Sequence, residues 1–414
     1  MEENLETIRK TLKKYSQEHL LNEYERLDEI KQKQLLEQIE NTDFELINSL
    51  YNNTKKEIEQ TPDSKIAPIE YLDKDKLNGY YRSFQETGEK AIRAGELAAV
   101  TMAGGQGTRL GHQGPKGTFD IGLESHKSLF ELLSDSLKEQ GKKYDVTIPW
   151  FIMTSEENND DTVEFFAKHR FFGYEKDKNI FFFKQSELPM VDTEGKILIG
   201  EDGLIKEAAD GHGGIYEALV KNGMTKKMRE LGVEWLFIGG VDNCLVKMVD
   251  PILMGIAIQK HVTAAGKSVV KANPEEKVGV FCKKNGRPSV VEYTEIPKEM
   301  AEARDERGEL IYGESHILCN LFNIDAVERM GNKPLPYHSA FKKATYIDKD
   351  GNKIVPDGPN AYKFEAFLFD AFGELDDMAI LRVKREEEFA PVKNASGVDS
   401  PETARELYRK FYQL

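Results

Sequence analysis

Cysteine is scarce in these 414 residues: Cys244, Cys282 and Cys319 are all there is. An odd number without CxxC spacing excludes a disulfide framework and a cysteine-rich zinc site, and it fits a reducing cytoplasm. Positive charge is also in deficit, with 57 Lys and Arg against 72 Asp and Glu, a net charge of −15. That balance argues against a general nucleic-acid binder, because phosphate backbones are held by surplus Lys and Arg. Any polyanionic ligand must therefore meet a local basic site. Long apolar runs are missing too. No stretch approaches about 20 apolar residues, and the opening MEENLETIRKTLKKYSQ has no apolar core of signal-peptide length. Neither a membrane partner nor export is expected, and a cytoplasmic globular chain of roughly two to three domains is.

From Leu5 to about Asn53 the chain is rich in Glu, Lys, Gln and Leu, with Ile8, Leu12, Leu20, Leu27, Leu35 and Ile39 at helical spacings. Two or three helices are expected, with Asn41-Thr42-Asp43 able to cap one that starts near Phe44. TPDSKIAP at 61–68 reads as a connector, since each Pro removes a backbone donor. After Ala91 the pattern changes to short, continuously apolar runs at 97–103, 147–155, 179–185 and 233–242. Strands covered on both faces read this way, and the segments 128–143 and 214–231 between them read as amphipathic helices. That alternation predicts an α/β fold with a mainly parallel sheet. Residues 278–296 predict a hairpin with Asn285-Gly286 as its turn. The division expected is an N-terminal helical region, 1–90, and a catalytic domain, 91–414, whose short C-terminal extension starts at about 345.

The densest chemical signal is MAGGQGTRLGHQGPKG at 102–117, directly after an apolar strand. Gly104, Gly105 and Gly107 remove side chains where backbone amides must turn tightly toward a ligand, and such a nest suits phosphate oxygens. Arg109 and Lys116 add the positive charge that the rest of the chain lacks, so a triphosphate is the natural guest. Two better-known glycine motifs fail. Glycines 105, 107 and 111 give GxGxxxG rather than GxGxxG, and Lys116 follows Pro115 where a P-loop needs Gly. A second cluster, ADGHGGIY at 209–216, places Gly211 and His212 before an expected helix, where either anion binding or a plain helix-entry loop accounts for them. In WLFIGGVDNCL, Asp242 follows the carboxyl end of a strand, where a cation between phosphates needs an oxygen ligand and where Asp also commonly caps a turn. Glu292 in VVEYTEI alternates with apolar residues and can accept bonds from a polyol. Composition and spacing leave Glu292, Lys363 and Lys393 undecided between a site and an ordinary surface.

In this order the segments resemble the UDP-N-acetylhexosamine pyrophosphorylases, within the UTP-dependent sugar-1-phosphate uridylyltransferases. AGGQGTRLG with PKG, FFFKQSELP, DGHGG, VDNCLVKMVDP, VVEYTEI, LPYH and REEEFAPVKNA carry the likeness across roughly residues 70 to 410. The resemblance implies a Rossmann-like nucleotide-binding α/β domain with a mixed, mainly parallel sheet, behind an N-terminal helical layer. It also implies a reaction, UTP and a sugar 1-phosphate giving a UDP-sugar and pyrophosphate, with Mg2+. By the same likeness, Met102, Ala103, Gly104 and Gly105 form the backbone cradle for UTP, while Lys116 and Arg109 meet its triphosphate and the leaving pyrophosphate. Gln185 reads the uracil edge, Gly211 lies near base and ribose, Asp242 holds magnesium, and Lys363 contacts the nucleotide phosphates. Glu292 meets a sugar hydroxyl, and Lys393 the phosphate of the sugar substrate. Two positions depart from the family. His212 stands where the eukaryotic enzymes have the Asn of DGNGG, and His316 in GESHILCN aligns with their sugar-contacting Asn. N-acetylglucosamine 1-phosphate is the first expectation for the sugar. A UDP-glucose, UDP-galactose or broad UDP-sugar pyrophosphorylase is the alternative, and a UDP-sugar-binding regulator without turnover is the rival from another class.

Overall fold

A computed structural model describes residues 2–55 and 65–414. Residues 61–64 of the expected connector lie outside the described residues, and its end, Ile66–Pro68, is a short strand paired antiparallel with Val280–Lys284.

The described residues form two compact units, and the larger comprises those of Asp63–Gln185, Ile215–Pro334 and Leu368–Leu414. Its sheet is built on β1 (Leu72–Asp73), β2 (Leu97–Met102), β3 (Trp150–Thr154), β4 (Ile180–Lys184), β5 (Trp235–Gly240), β6 (Ala264–Val270), β7 (Glu314–Asn323) and β8 (Ala379–Arg382). The spatial order is β1-β8-β6-β7-β5-β2-β3-β4. β7 runs antiparallel to both its neighbours, and every other pairing along this path is parallel. All of β2 and β3 is buried, as their unbroken apolar runs LAAVTM and WFIMT require of strands covered on both faces. The α/β expectation and the four strand positions are therefore met. The hairpin is also met, with strands Val280–Lys284 and Arg287–Val291 and left-handed φ values of 52° at Asn285 and 81° at Gly286.

Helix Leu129–Tyr144 begins with a reciprocal capping box between Ser128 and Glu131. Helices Tyr80–Arg93 and Pro251–Gln259 approach so closely that a Cβ on Gly88 would lie 1.9 Å from the Pro251 carbonyl oxygen, and one on Gly255 1.8 Å from that of Phe84. The single helix expected over 214–231 is instead two, Ile215–Lys221 and Met224–Glu230. Gly223, at φ 71°, takes the left-handed conformation that ends the first.

The smaller unit comprises the described residues of Met1–Pro62 with Ser186–Gly214 and Leu335–Phe367. This grouping cuts across the sequence division at residue 90. Its helices Glu2–Lys14, Glu29–Asn41 and Phe44–Thr54 each have an apolar stripe, and Ile8, Leu12, Leu35, Ile39 and Ile47 are buried with Val191, Ile197, Ile199, Ile205 and Phe364. The cover for that stripe thus comes from segments far along the chain, one reaching a small sheet of His338–Lys342, Ala361–Glu365 and Val191–Asp192. Asp43 caps the third helix through the Leu46 N–H, as its sequence position predicts.

Candidate nucleotide site

In the larger unit the glycine loop leaves the carboxyl end of β2 and folds back as a tight hairpin. Gly107 N–H donates to the Gly114 carbonyl, Lys116 N–H to that of Gly105, and Gln106 bridges Pro115. Met102 and Ala103 are buried at its root, where Ala103 N–H donates to Met153. The backbone at Gly104 is approached by the Gln185 amide, since a Cβ there would lie 2.9 Å from Gln185 Oε1. Gln185 itself extends the β3–β4 pairing by donating its N–H to the Thr154 carbonyl at 2.9 Å. Asp242 follows β5, whose last residue pairs in register with Met102. Its carboxylate meets Lys116 Nζ at 3.6 Å, with both side chains partly buried. Adjacent parallel strands thus bring Lys116, Asp242, Gln185 and the Gly104-Gly105 backbone to one edge of the sheet, the position where open α/β folds bind ligands. Arg109 is exposed on the turn Thr108–Leu110 of the same loop.

Three further expected residues lie elsewhere in this unit. Lys393 is half-exposed, 3.7 Å from Asp399, at the end of a buried segment whose Val392 N–H donates to the Asp242 carbonyl. The Glu292 side chain and the His316 backbone each approach Gly279: a Cβ there would lie 3.0 Å from Glu292 Oε1, and His316 N–H donates to the Gly279 carbonyl. The His316 imidazole is buried, edge-on to Phe281, Phe369 and Phe372 and paired with the Asn320 side chain.

The remaining expected residues belong to the smaller unit. Gly211 has φ 86°, and a Cβ would lie 2.4 Å from the Ala366 carbonyl oxygen, so glycine is required there on both counts. The His212 ring lies 5.5 Å from that of Phe367, which stacks on His338 at 4.8 Å. Lys363 pairs with Glu365 at 2.7 Å, and the Glu365 side chain in turn borders Gly211.

Sequence reasoning missed the braces of the glycine loop. Asn158, fully buried, donates to the carbonyls of Ala103 and Gly105. His112 bonds Thr118 Oγ1 at 2.7 Å, and because that hydroxyl donates its proton to the Pro115 carbonyl, His112 Nε2 is the donor. Neither has a local signal, because each partner becomes a neighbour only when the loop folds back. His338 was legible only as part of LPYH.

A family model described as UTP–glucose-1-phosphate uridylyltransferase matches residues 42–399. The chain belongs to this family. It is accordingly a nucleotidyltransferase, as its motif series implied. UDP-N-acetylglucosamine diphosphorylase 2 of Arabidopsis thaliana is 37% identical over 427 residues, spanning 97% of this chain and 82% of the plant protein. UDP-N-acetylglucosamine pyrophosphorylase of Saccharomyces cerevisiae is also 37% identical, over 97% of this chain and 86% of its own length. The crystal structure of the uridine diphosphate N-acetylglucosamine pyrophosphorylase from Trypanosoma brucei in complex with inhibitor superposes with a TM-score of 0.82 at 31% identity, covering 98% of this chain and 84% of that one. The resemblance to the N-acetylhexosamine branch is borne out. Among the described residues of this uridylyltransferase, no helix is long and apolar enough to cross a membrane.

Proposed function

We propose that this uridylyltransferase joins UTP to N-acetylglucosamine 1-phosphate, giving UDP-N-acetylglucosamine and pyrophosphate. The transfer rests on the pairing of Lys116 with Asp242 at 3.6 Å beside the Gly104-Gly105 backbone, at the carboxyl ends of adjacent parallel strands, and the choice of sugar on the likeness to the N-acetylglucosamine enzymes. A phosphate oxygen of the sugar substrate attacks the α-phosphorus of UTP in line. The bond to the oxygen bridging the α- and β-phosphorus breaks, and pyrophosphate leaves with its electron pair. Such transfers need alignment and charge neutralisation more than covalent help. Lys116 and Arg109 neutralise charge gathering on pyrophosphate, Gln185 reads the uracil edge, and Lys393 receives the sugar phosphate once it lets go of Asp399. Glu292 is assigned to a sugar hydroxyl.

The donor set fits magnesium. Among the described residues no group of three His, Cys, Asp or Glu side chains is arranged to hold a metal. Magnesium suits a single carboxylate, because it keeps several waters and takes its other ligands from substrate phosphates. Asp242 would hold it, and the ion would supply charge neutralisation between the phosphates.

The test is pyrophosphate release from UTP with magnesium across the 1-phosphates of N-acetylglucosamine, N-acetylgalactosamine, glucose and galactose. The highest kcat/KM is expected with N-acetylglucosamine 1-phosphate. A preference for glucose 1-phosphate would move the assignment to the plain hexoses, as His212 in place of Asn favours. Silence across the panel with UDP-sugar still bound would leave a binding protein.

A further inference from the structure

β6 carries a lysine in the middle of an apolar strand, AAGKSVV, and the Lys267 side chain is 1% exposed. Its ammonium lies 2.8 Å from Asp250 Oδ2, 2.5 Å from Glu388 Oε2 and 3.2 Å from the Lys247 carbonyl oxygen. Lys74 bonds the same two carboxylates from the outer side, at 3.2 and 2.9 Å, and Lys247 Nζ stands 3.8 Å from Glu388. Burial by itself discourages charge on all three central groups. The mutual attraction outweighs it, holding Lys267 above the usual lysine range and Asp250 and Glu388 below the usual carboxylate range.

A cluster of this kind is weak evidence for stability, because desolvation consumes most of the Coulombic gain and a well-packed apolar set does as well. Its position in the chain is more informative. Lys267 grips the far end of the loop that begins at Asp242, through the Lys247 carbonyl and through Asp250, which caps helix Pro251–Gln259. It also grips Glu388, five residues before Lys393. Between these anchors the loop and the 388–392 strap are laced together. Asn243 Nδ2 donates to the Glu388 carbonyl at 2.8 Å, Ala390 N–H donates to Asn243 Oδ1 at 2.9 Å, and Val392 N–H donates to the Asp242 carbonyl at 2.9 Å. The lacing fixes the two segments to each other, and Lys267 fixes both to the sheet.

We infer that Lys267 is a positioning residue for the transfer reaction: through Asp250 and Glu388 it sets where the Asp242 loop and the Lys393 strap stand relative to the sheet edge. The inference rests on the roles given above to Asp242 and Lys393. It predicts a separation of stability from rate. Lys267→Met leaves two buried carboxylates facing only the outer Lys74 and the more distant Lys247, and lowers both stability and rate. Lys267→Met with Glu388→Gln removes one charge of each sign, so the protein regains stability while its rate does not recover. In that folded double variant kcat falls at least about tenfold, as sub-ångström misalignment allows. KM rises more for the sugar 1-phosphate, which meets the displaced Lys393, than for UTP, most of whose cradle is the undisturbed 102–116 loop. Chemical denaturation run beside the kinetics establishes that the double is folded.

Wild-type kcat and KM in the folded double would overturn the inference and leave the proposed reaction standing. Wild-type protein that releases no pyrophosphate with any sugar 1-phosphate would overturn both. Should the double not fold, Lys74→Met removes only the outer, part-exposed partner, and a smaller kcat loss with the same KM split supports the inference, while unchanged constants refute it.

Discussion

In the smaller unit, the N-terminal helical segment meets its strands through neutral amide side chains, Gln17 buried and Gln38 half-buried. Gln17 donates to the Gly195 carbonyl and accepts from Ile197 N–H, each at 2.9 Å, and Gln38 holds both backbone groups of Ile205 in the same way. The larger unit buries a cluster of opposite charges, Lys267 with Asp250 and Glu388, and sets a further opposite pair, Lys116 and Asp242, at the sheet edge. An amide that replaces missing strand bonds is a local repair worth about 0.5–1.5 kcal/mol per bond. A charged cluster is all or nothing: intact it is close to neutral in energy, and with one partner gone it is costly. Helices laid on short, irregular strands can therefore be held by neutral donors and acceptors. A surface that must place cations and a carboxylate against a polyanion needs charges held from beneath.

The largest expected effect is at the cluster. Lys267→Met should cost about 3–5 kcal/mol of unfolding free energy, read by denaturant titration of Trp150 and Trp235 fluorescence. Both tryptophans belong to the larger unit. A loss under about 1 kcal/mol would mean that the charges are not interdependent and would erase the contrast. Lys116→Ala sharpens it from the other side. A lysine held 3.6 Å from one carboxylate on a glycine loop has little packing to lose. kcat should therefore fall about 10²–10³-fold with folding unchanged. In the smaller unit, Gln17→Leu leaves the Gly195 carbonyl and Ile197 N–H without their partner and should cost about 1–3 kcal/mol, with the larger unit's tryptophan signal unmoved.

What the sequence made legible follows the same divide. Four strands of the larger unit were readable because each is a continuous apolar run, and the glycine loop because its residues are consecutive, whereas AAGKSVV and ESHILCNLFN, broken by polar and charged residues, were not read as strands. Ser186–Gly214 and Leu335–Phe367 were not readable as partners of the first helices, since their strands are two to five residues long and their apolar positions are scattered among turns. Lys267 could not be singled out either: in AAGKSVVK it has no local partner, and Glu388 stands 121 positions away. His316 was legible as a motif position, while its aromatic surround depends on Phe281, Phe369 and Phe372, which only the fold brings together.

The smallest expected effect separates the units by pH alone. His19 Nε2 donates to the Ile197 carbonyl at 2.8 Å, and its Nδ1 is buried without a hydrogen-bond partner, so a second proton would have nowhere to bond. Burial accordingly holds its pKa below the ordinary 6.5, against the pull of the Ile197 carbonyl. A depressed histidine contributes stability that is fully present above pH 6.5 and is lost as pH falls through the folded-state value, because the unfolded chain binds the proton more readily. Asp250 and Glu388 are held below their ordinary 3.8 and 4.5, so their contribution is fully present between pH 6.5 and 5 and is lost only as pH falls below those ordinary values toward the folded-state ones. Amide exchange, corrected for its intrinsic pH dependence, should therefore quicken around 17–21 and 195–199 between pH 6.5 and 5. The three cysteines report on the larger unit alone, since Cys244, Cys282 and Cys319 all belong to it and are buried, with thiols pushed up to about 12, 11 and 12. Their labelling by a dipyridyl disulfide, which reacts in acid, should stay slow across the same interval. His19→Gln should abolish the exchange step and leave the labelling as it was. Labelling that accelerates together with amide exchange would mean that the two units open as one, and that the His19 contact and the Lys267 cluster do not respond to acid separately.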